Sequence, residues 1–144
     1  MSLIYRVEPD FINIDKRGKL IQLVSKGYRQ VNYIESVADT VRGYHYHKYN
    51  REAFFIIKGR FEIAVWRVDD KGIADKETFE LYQYEAGDFF CIEPFTAHVF
   101  AYFEDSSLVS FYDKGVELTD RSKDIWKVSG EDYLLMKGVY NRCI

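Results

Sequence analysis

The chain has 144 residues, the length of one domain, and 47% of them are hydrophobic, enough for a substantial core. A formal net charge of -3 argues against nucleic acid or an anionic membrane as partner. No apolar run approaches the roughly 18 residues of a membrane span, and Met1 to Asp10 carries charge where a signal peptide would be apolar.

Tyr, Phe, Val and Ile fill short runs broken by Gly, Asp and Asn, the texture of an all-β protein. In chain order the patterning predicts strands over Leu20–Val24, Arg29–Ser36, Gly43–His47, Ala53–Lys58 and Arg60–Val68. After a turn at Asp69-Asp70-Lys71-Gly72 come Thr78–Tyr84, a second turn at Glu85-Ala86-Gly87-Asp88, then Asp88–Ile92, His98–Phe103 and Leu108–Tyr112. Lys114 to Lys127 reads as solvated surface, with Asp120–Trp126 a helical turn or loop, and Tyr133–Val139 as a final strand or short helix. Many short strands at near-regular spacing imply a sandwich or small barrel. Ala53–Ile57 is apolar on both faces, so it needs cover outside the barrel, from flanking segments or a second copy. A homodimer is expected on that ground. Cys91 and Cys143 have no metal or redox spacing, which fits reduced thiols in a cytoplasmic setting, with Cys91 a small buried hydrophobe.

The chain's three histidines fall in two places. His45 and His47 are two apart in a predicted strand, so their imidazoles can share one face. Glu52 follows the short turn Lys48-Tyr49-Asn50-Arg51, and His98 would come from a partner strand. Together the four form a complete ligand set for one divalent ion, with Zn, Mn, Ni and Fe all compatible with imidazole and carboxylate donors. Three nitrogens and one oxygen leave positions open, as in catalytic sites. By alternation Phe100 and Tyr102 share the face of His98 and would line the cavity.

Two stretches carry a family resemblance. Gly43-x-His45-x-His47-x(4)-Glu52-x(6)-Gly59 resembles the first cupin motif, shortened between its opening Gly and first His. Gly87-x(6)-Pro94-x(3)-His98 resembles the second, with Phe95 at a position usually Gly. The resemblance spans Tyr28 to Asp113 and implies a single-domain double-stranded β-helix, the cupin jelly-roll barrel, with metal ligands at His45, His47, Glu52 and His98. Arg29-x-Val31-x-Tyr33-Ile34 followed by Arg42-Gly43-x-His45-x-His47-Lys48 is similar to sugar-nucleotide 3,4-ketoisomerases. The His-Tyr-His run with Glu52 and Lys58-Gly59 looks like the metal-binding cupin domain of a capsular-polysaccharide reductase/epimerase. The ketoisomerases generally have Gln at the position of Glu52, and their signature at the end of the barrel is not reproduced in Phe111-Tyr112-Asp113-Lys114.

These resemblances imply isomerisation or epimerisation of a 4-keto sugar nucleotide through an enediolate. A metal would stabilise the enediolate oxygens, and a base must take a carbon-bound proton. If the histidines hold a metal, Tyr33, Tyr46, Tyr102 or a metal-bound hydroxide is the candidate base. If they do not, His45 or His47 is, with Arg29 and Arg42 steadying the oxyanion. The expected catalytic set is Tyr33, Tyr102 and Arg42, with Arg29, Tyr46 and Phe100 binding substrate. Two alternatives stand beside this reading: a metal-dependent cupin dioxygenase acting on a small molecule, and a non-catalytic module that binds a small ligand.

Overall fold

The computed structural model describes residues 2–128. Among them there is no helix. The strands are β1 (Ile4–Arg6), β2 (Phe11–Asp15), β3 (Gly18–Gln22), β4 (Gln30–Ser36), β5 (Val41–Tyr46), β6 (Glu52–Lys58), β7 (Arg60–Val68), β8 (Ala74–Glu85), β9 (Phe89–Ile92), β10 (Thr96–Tyr102), β11 (Ser106–Tyr112) and β12 (Trp126–Lys127). Two five-stranded sheets, β1-β9-β6-β11-β4 and β12-β5-β10-β7-β8, face each other, and β2-β3 forms a separate hairpin. Every pairing is antiparallel.

Alternation sorts side chains between the inside and outside of this sandwich. Phe54 and Ile56 on β6, Phe61, Ile63 and Val65 on β7, Phe90 and Ile92 on β9, Phe100 and Tyr102 on β10, and Leu108 on β11 form the core between the sheets. Phe54, Phe61, Phe90 and Phe100 fill one end with rings 5.0 to 6.4 Å apart. The opposite parity makes two outer clusters. Ala64, Trp66, Ala97, Val99 and Ala101 back the second sheet under Phe79, Leu81 and Trp126. Ala53, Phe89, Cys91 and Phe111 back the first, under Val7, Leu23, Val24 and Tyr28. The flanking segments therefore cover most of the two-sided strand β6, although Ile57 stays half exposed.

Nine of these strands match the patterning of the sequence to within a few residues; β1, β2 and β12 are additional. Asp120–Trp126 is not helical. Leu118 and Ser122 close a turn, and Glu117 bridges Lys123 before β12 begins at Trp126. The segment is not all solvated surface either, since Asp124 is fully buried. Tyr133–Val139 and Cys143 lie outside the described residues. No helix among the described residues is long and apolar enough to cross a membrane.

Candidate functional site

The polar cluster adjoins the phenylalanine stack, with the His98 and Phe100 ring centroids 6.1 Å apart. Glu52 comes from β6 in the first sheet, while His45 on β5, His47 just beyond it and His98 on β10 come from the second. Glu52 shares the inward parity of Phe54 and Ile56, and His98 that of Phe100 and Tyr102. Strict alternation alone does not explain β5, where Arg42 and His45 both reach the cavity. The register with β10 shifts at His98/Val99, with His98 opposite His45 and Val99 opposite Gly43, so Tyr44 is the extra residue of a bulge. Gly43 at φ 118° and Tyr44 at φ 65° supply the backbone turn this needs.

The four side chains offer ligand atoms that all lie within 4.8 Å of one another. The imidazole centroids are 4.7 to 5.4 Å apart. Each Nδ1 faces a backbone carbonyl: Gly43 for His45 at 3.0 Å, Asp124 for His47 at 2.6 Å and Thr96 for His98 at 3.1 Å. A carbonyl oxygen only accepts, so each Nδ1 carries a proton and donates. In a neutral ring that leaves the Nε2 lone pair free, as a metal ligand requires. Burial and the neighbouring imidazoles push the pKa of His45 down and that of His98 well down, which keeps both rings neutral.

His47 differs. Burial lowers its pKa, but the hydrogen bond and charge of Glu52 outweigh that and raise it overall. His47 Nε2 lies 3.0 Å from Glu52 Oε1, and His98 Nε2 lies 3.9 Å from the same oxygen. A lone pair facing a carboxylate at that distance calls for a positive charge, either a proton on His47 or a cation among the four groups. The donor set suits a divalent metal, and the four ligand atoms lie close enough together to share one ion.

A cavity of about 420 Å³ opens over this cluster. Phe54, Phe100, Ile34 and Val41 give it apolar walls, and Arg42, Tyr102 and Tyr112 give it polar groups. Arg42 is held by its Nε on Ser36 Oγ at 2.8 Å and its Nη2 on the Glu35 carbonyl at 3.0 Å. Burial raises the pKa of Tyr102 and of Tyr112, so both phenols stay protonated at neutral pH. The Tyr112 phenol faces Glu52, which adds to the rise of its pKa, and its ring sets an edge against His47 with centroids 5.2 Å apart.

Arg42, Phe100 and Tyr102 thus lie where the sequence places them, beside the ligand cluster. Three residues do not. Tyr33 is 61% exposed and bonds Glu35, because Asn32, Ile34 and Ser36 take the inward parity of β4. Tyr46 points to the opposite face from its flanking histidines and packs with Trp66 in the outer cluster. Arg29 lines a separate depression with Tyr49 and Lys114. Sequence reasoning missed Tyr112 and Asp124. The inward parity of Leu108 and Ser110 marks Tyr112, whereas nothing local marks Asp124.

Two antiparallel sheets closed around a cavity, with a His-x-His pair, a Glu and a distant His at one end, define a cupin jelly roll. Within that class the chain belongs to the polysaccharide biosynthesis C-terminal domain family, whose model matches residues 13–112. No curated protein matches it. Among solved structures it is similar to dTDP-4-dehydrorhamnose 3,5-epimerase from Sulfolobus tokodaii, at 25% identity and a TM-score of 0.57 over 70% of this chain and 65% of that one. It therefore spans less than two thirds of that enzyme's length. It is also similar to a variant of the 3,4-ketoisomerase QdtA from Thermoanaerobacterium thermosaccharolyticum in complex with TDP-4-keto-6-deoxyglucose. There the identity is 17% and the TM-score 0.67, over 99% of this chain and 97% of that one. The 3'-monoepimerase ChmJ from Streptomyces bikiniensis, in complex with dTDP-quinovose, gives 19% identity and a TM-score of 0.67 over 93% and 73%.

Proposed function

We propose that the protein is a metal-binding isomerase or epimerase of a 4-keto sugar nucleotide. The observation that carries this is the cluster His45, His47, Glu52 and His98, each imidazole with its Nδ1 on a carbonyl, under a cavity with aromatic walls and one arginine. The similar structures are supporting evidence, since two of them hold dTDP- or TDP-sugars. A divalent ion among the four ligands would supply positive charge for the oxyanion that forms when a proton leaves the carbon beside the ketone.

The protein's own groups divide the remaining work. Phe54 and Phe100 give the sugar an apolar wall. Arg42, anchored at two points, offers a fixed guanidinium to an anionic part of the substrate. Tyr102 and Tyr112, kept protonated, are donors rather than bases. With the ligand cluster empty, His45 is the proton acceptor of choice, because its ring is neutral and lines the cavity while His47 is engaged with Glu52.

A second reading, a metal-dependent dioxygenase, is favoured by the same complete ligand set and differs in substrate and metal. The reading also includes a homodimer. The β2-β3 hairpin exposes Phe11, Ile12, Ile14 and Leu20, and β4, at the edge of its sheet, exposes Val31 and Tyr33. A cytoplasmic setting would keep the buried Cys91 a thiol.

The deciding experiment couples elemental analysis to solvent exchange. About one equivalent of metal, absent from a His47→Ala, His98→Ala double variant, together with deuterium uptake beside the ketone of a dTDP-4-keto-6-deoxy sugar in D₂O, is the expected result. Metal without exchange, but with iron-dependent O₂ consumption, would move the assignment to the dioxygenase. Ligand binding with neither would leave a binding module.

A further inference from the structure

The most heavily hydrogen-bonded carboxylate near the site belongs to a residue that touches neither cavity nor ligand atoms. Asp124 is fully buried, on the segment that leads into β12. Its Oδ1 accepts from the backbone N–H of Lys48 at 2.8 Å and from Trp126 Nε1 at 2.8 Å. Its Oδ2 accepts from the N–H groups of Tyr49 and Asn50, each at 3.0 Å, and from Asn50 Nδ2 at 2.9 Å. Four of these five donors lie in the turn between His47 and Glu52. The carbonyl of the same residue accepts the Nδ1–H of His47 at 2.6 Å. For His45 and His98 the matching carbonyl lies two residues away on their own strand, at Gly43 and Thr96. His47 alone takes its orientation from a distant part of the chain.

We infer that Asp124 is a positioning residue: its carboxylate fixes the turn that joins His47 to Glu52, and its carbonyl fixes the ring of His47 so that Nε2 faces Glu52. The segment around it is itself docked. Asp124 N bonds the Val116 carbonyl, Trp126 pairs with Tyr46, and the Lys48 ammonium sits 3.8 Å over the Trp126 ring. A partner of this kind sets which imidazole nitrogen carries the proton and how the ring is turned, and its loss weakens metal binding roughly 10- to 100-fold. This role rests on the metal-binding reading above, but the placement of His47 can be read without metal.

The test compares Asp124→Ala and Asp124→Asn with Asp120→Ala, a control on the exposed part of the same segment. Zinc affinity is measured by competition with a chromophoric chelator. In the metal-free protein at pH 8, long-range proton–nitrogen spectra of the imidazoles report where each ring proton sits. Asp124→Ala keeps the backbone carbonyl but releases the turn that the carboxylate holds against it, so the hydrogen-bonded Nδ1–H signal of His47 is expected to be lost, those of His45 and His98 kept, and zinc bound about 10- to 100-fold more weakly. Asp124→Asn keeps the volume and one acceptor, so an intermediate loss is expected, and it carries the comparison if the alanine variant does not fold. Variants that melt lower yet keep the His47 signal and full zinc affinity would overturn the proposal, leaving Asp124 a purely structural clamp. If the unaltered protein takes no zinc, the metal-binding reading fails by itself, and the His47 signal still decides the role of Asp124.

Discussion

Gly43 lies against the backbone of His98 so closely that a Cβ at that position would sit 2.6 Å from the His98 carbonyl oxygen and 3.0 Å from Val99 Cα. The contact is backbone to backbone, so no side chain can yield. Gly43 also holds φ 118°, a conformation L side chains rarely adopt. Gly43→Ala should therefore push β5 off β10 just where His45 faces His98. A loss of roughly 1–3 kcal/mol from strain is expected, with weaker metal retention. Urea unfolding and elemental analysis of the folded fraction check both. A variant as stable as the parent, with its metal intact, would show that the bulge tolerates a side chain.

The inward and outward tyrosines make a direct comparison. Tyr33→Phe removes a hydroxyl that bonds only the exposed Glu35, so turnover should not change. Tyr112→Phe removes the hydroxyl that reaches Glu52, and Tyr102→Phe one that reaches Ser36. Each should lower kcat, by roughly 100-fold if the phenol donates a proton in the reaction. Thermal melts run alongside separate lost chemistry from lost fold.

Cys91 gives a pH dependence of known sign. Burial raises its thiol pKa to about 11. Unfolded, the thiol ionises near pH 8.5. A raised pKa contributes stability that is complete below the unfolded value and is lost as pH climbs toward the folded one. Replacing Cys91 with Ala should therefore flatten the decline in stability between about pH 8.5 and 11. In the native protein, iodoacetamide at pH 8 should leave Cys91 unmodified and label it only after denaturation. Peptide mapping separates it from Cys143.

The hairpin predicts its own phenotype. Ile14 is 74% exposed, beside Ile12 and opposite Lys19 on β3. If two copies pair through this apolar patch, Ile14→Lys should shift the protein to monomers in sedimentation velocity without a loss of secondary structure. An unaltered sedimentation profile would place the contact elsewhere or remove it.

Much of this architecture is legible in the residues because alternation is a strong signal in strands buried on both faces, such as β6, β7 and β10. The ligand set is legible for the same reason: spacing of two on one strand, plus a turn, plus a partner strand. Tyr33 shows where parity misleads. Val31 and Tyr33 look like an inward face, but the less apolar set of Asn32, Ile34 and Ser36 points inward, and Asn32 bonds Ser110 across the sheet. The bulge at Tyr44 cannot be counted from spacing, because it depends on how β10 lies alongside. Phe95 is a further case. At φ 58° it keeps the left-handed backbone that the cupin pattern assigns to Gly, and its N–H reaches the His47 carbonyl at 2.7 Å. Asp124 was hidden by distance and by chemistry, since it reaches His47 through a carbonyl that any residue would carry.

The split of the ligand cluster between the two sheets has a mechanical side. Glu52 belongs to one layer of the sandwich and the histidines to the other, so a cation held by all four acts as a rivet through both layers. Whatever binds only the folded form adds its binding free energy to stability in proportion to the logarithm of its free concentration. The melting temperature of this protein should then serve as a gauge of the surrounding metal, and the two layers should come apart first where the rivet is missing.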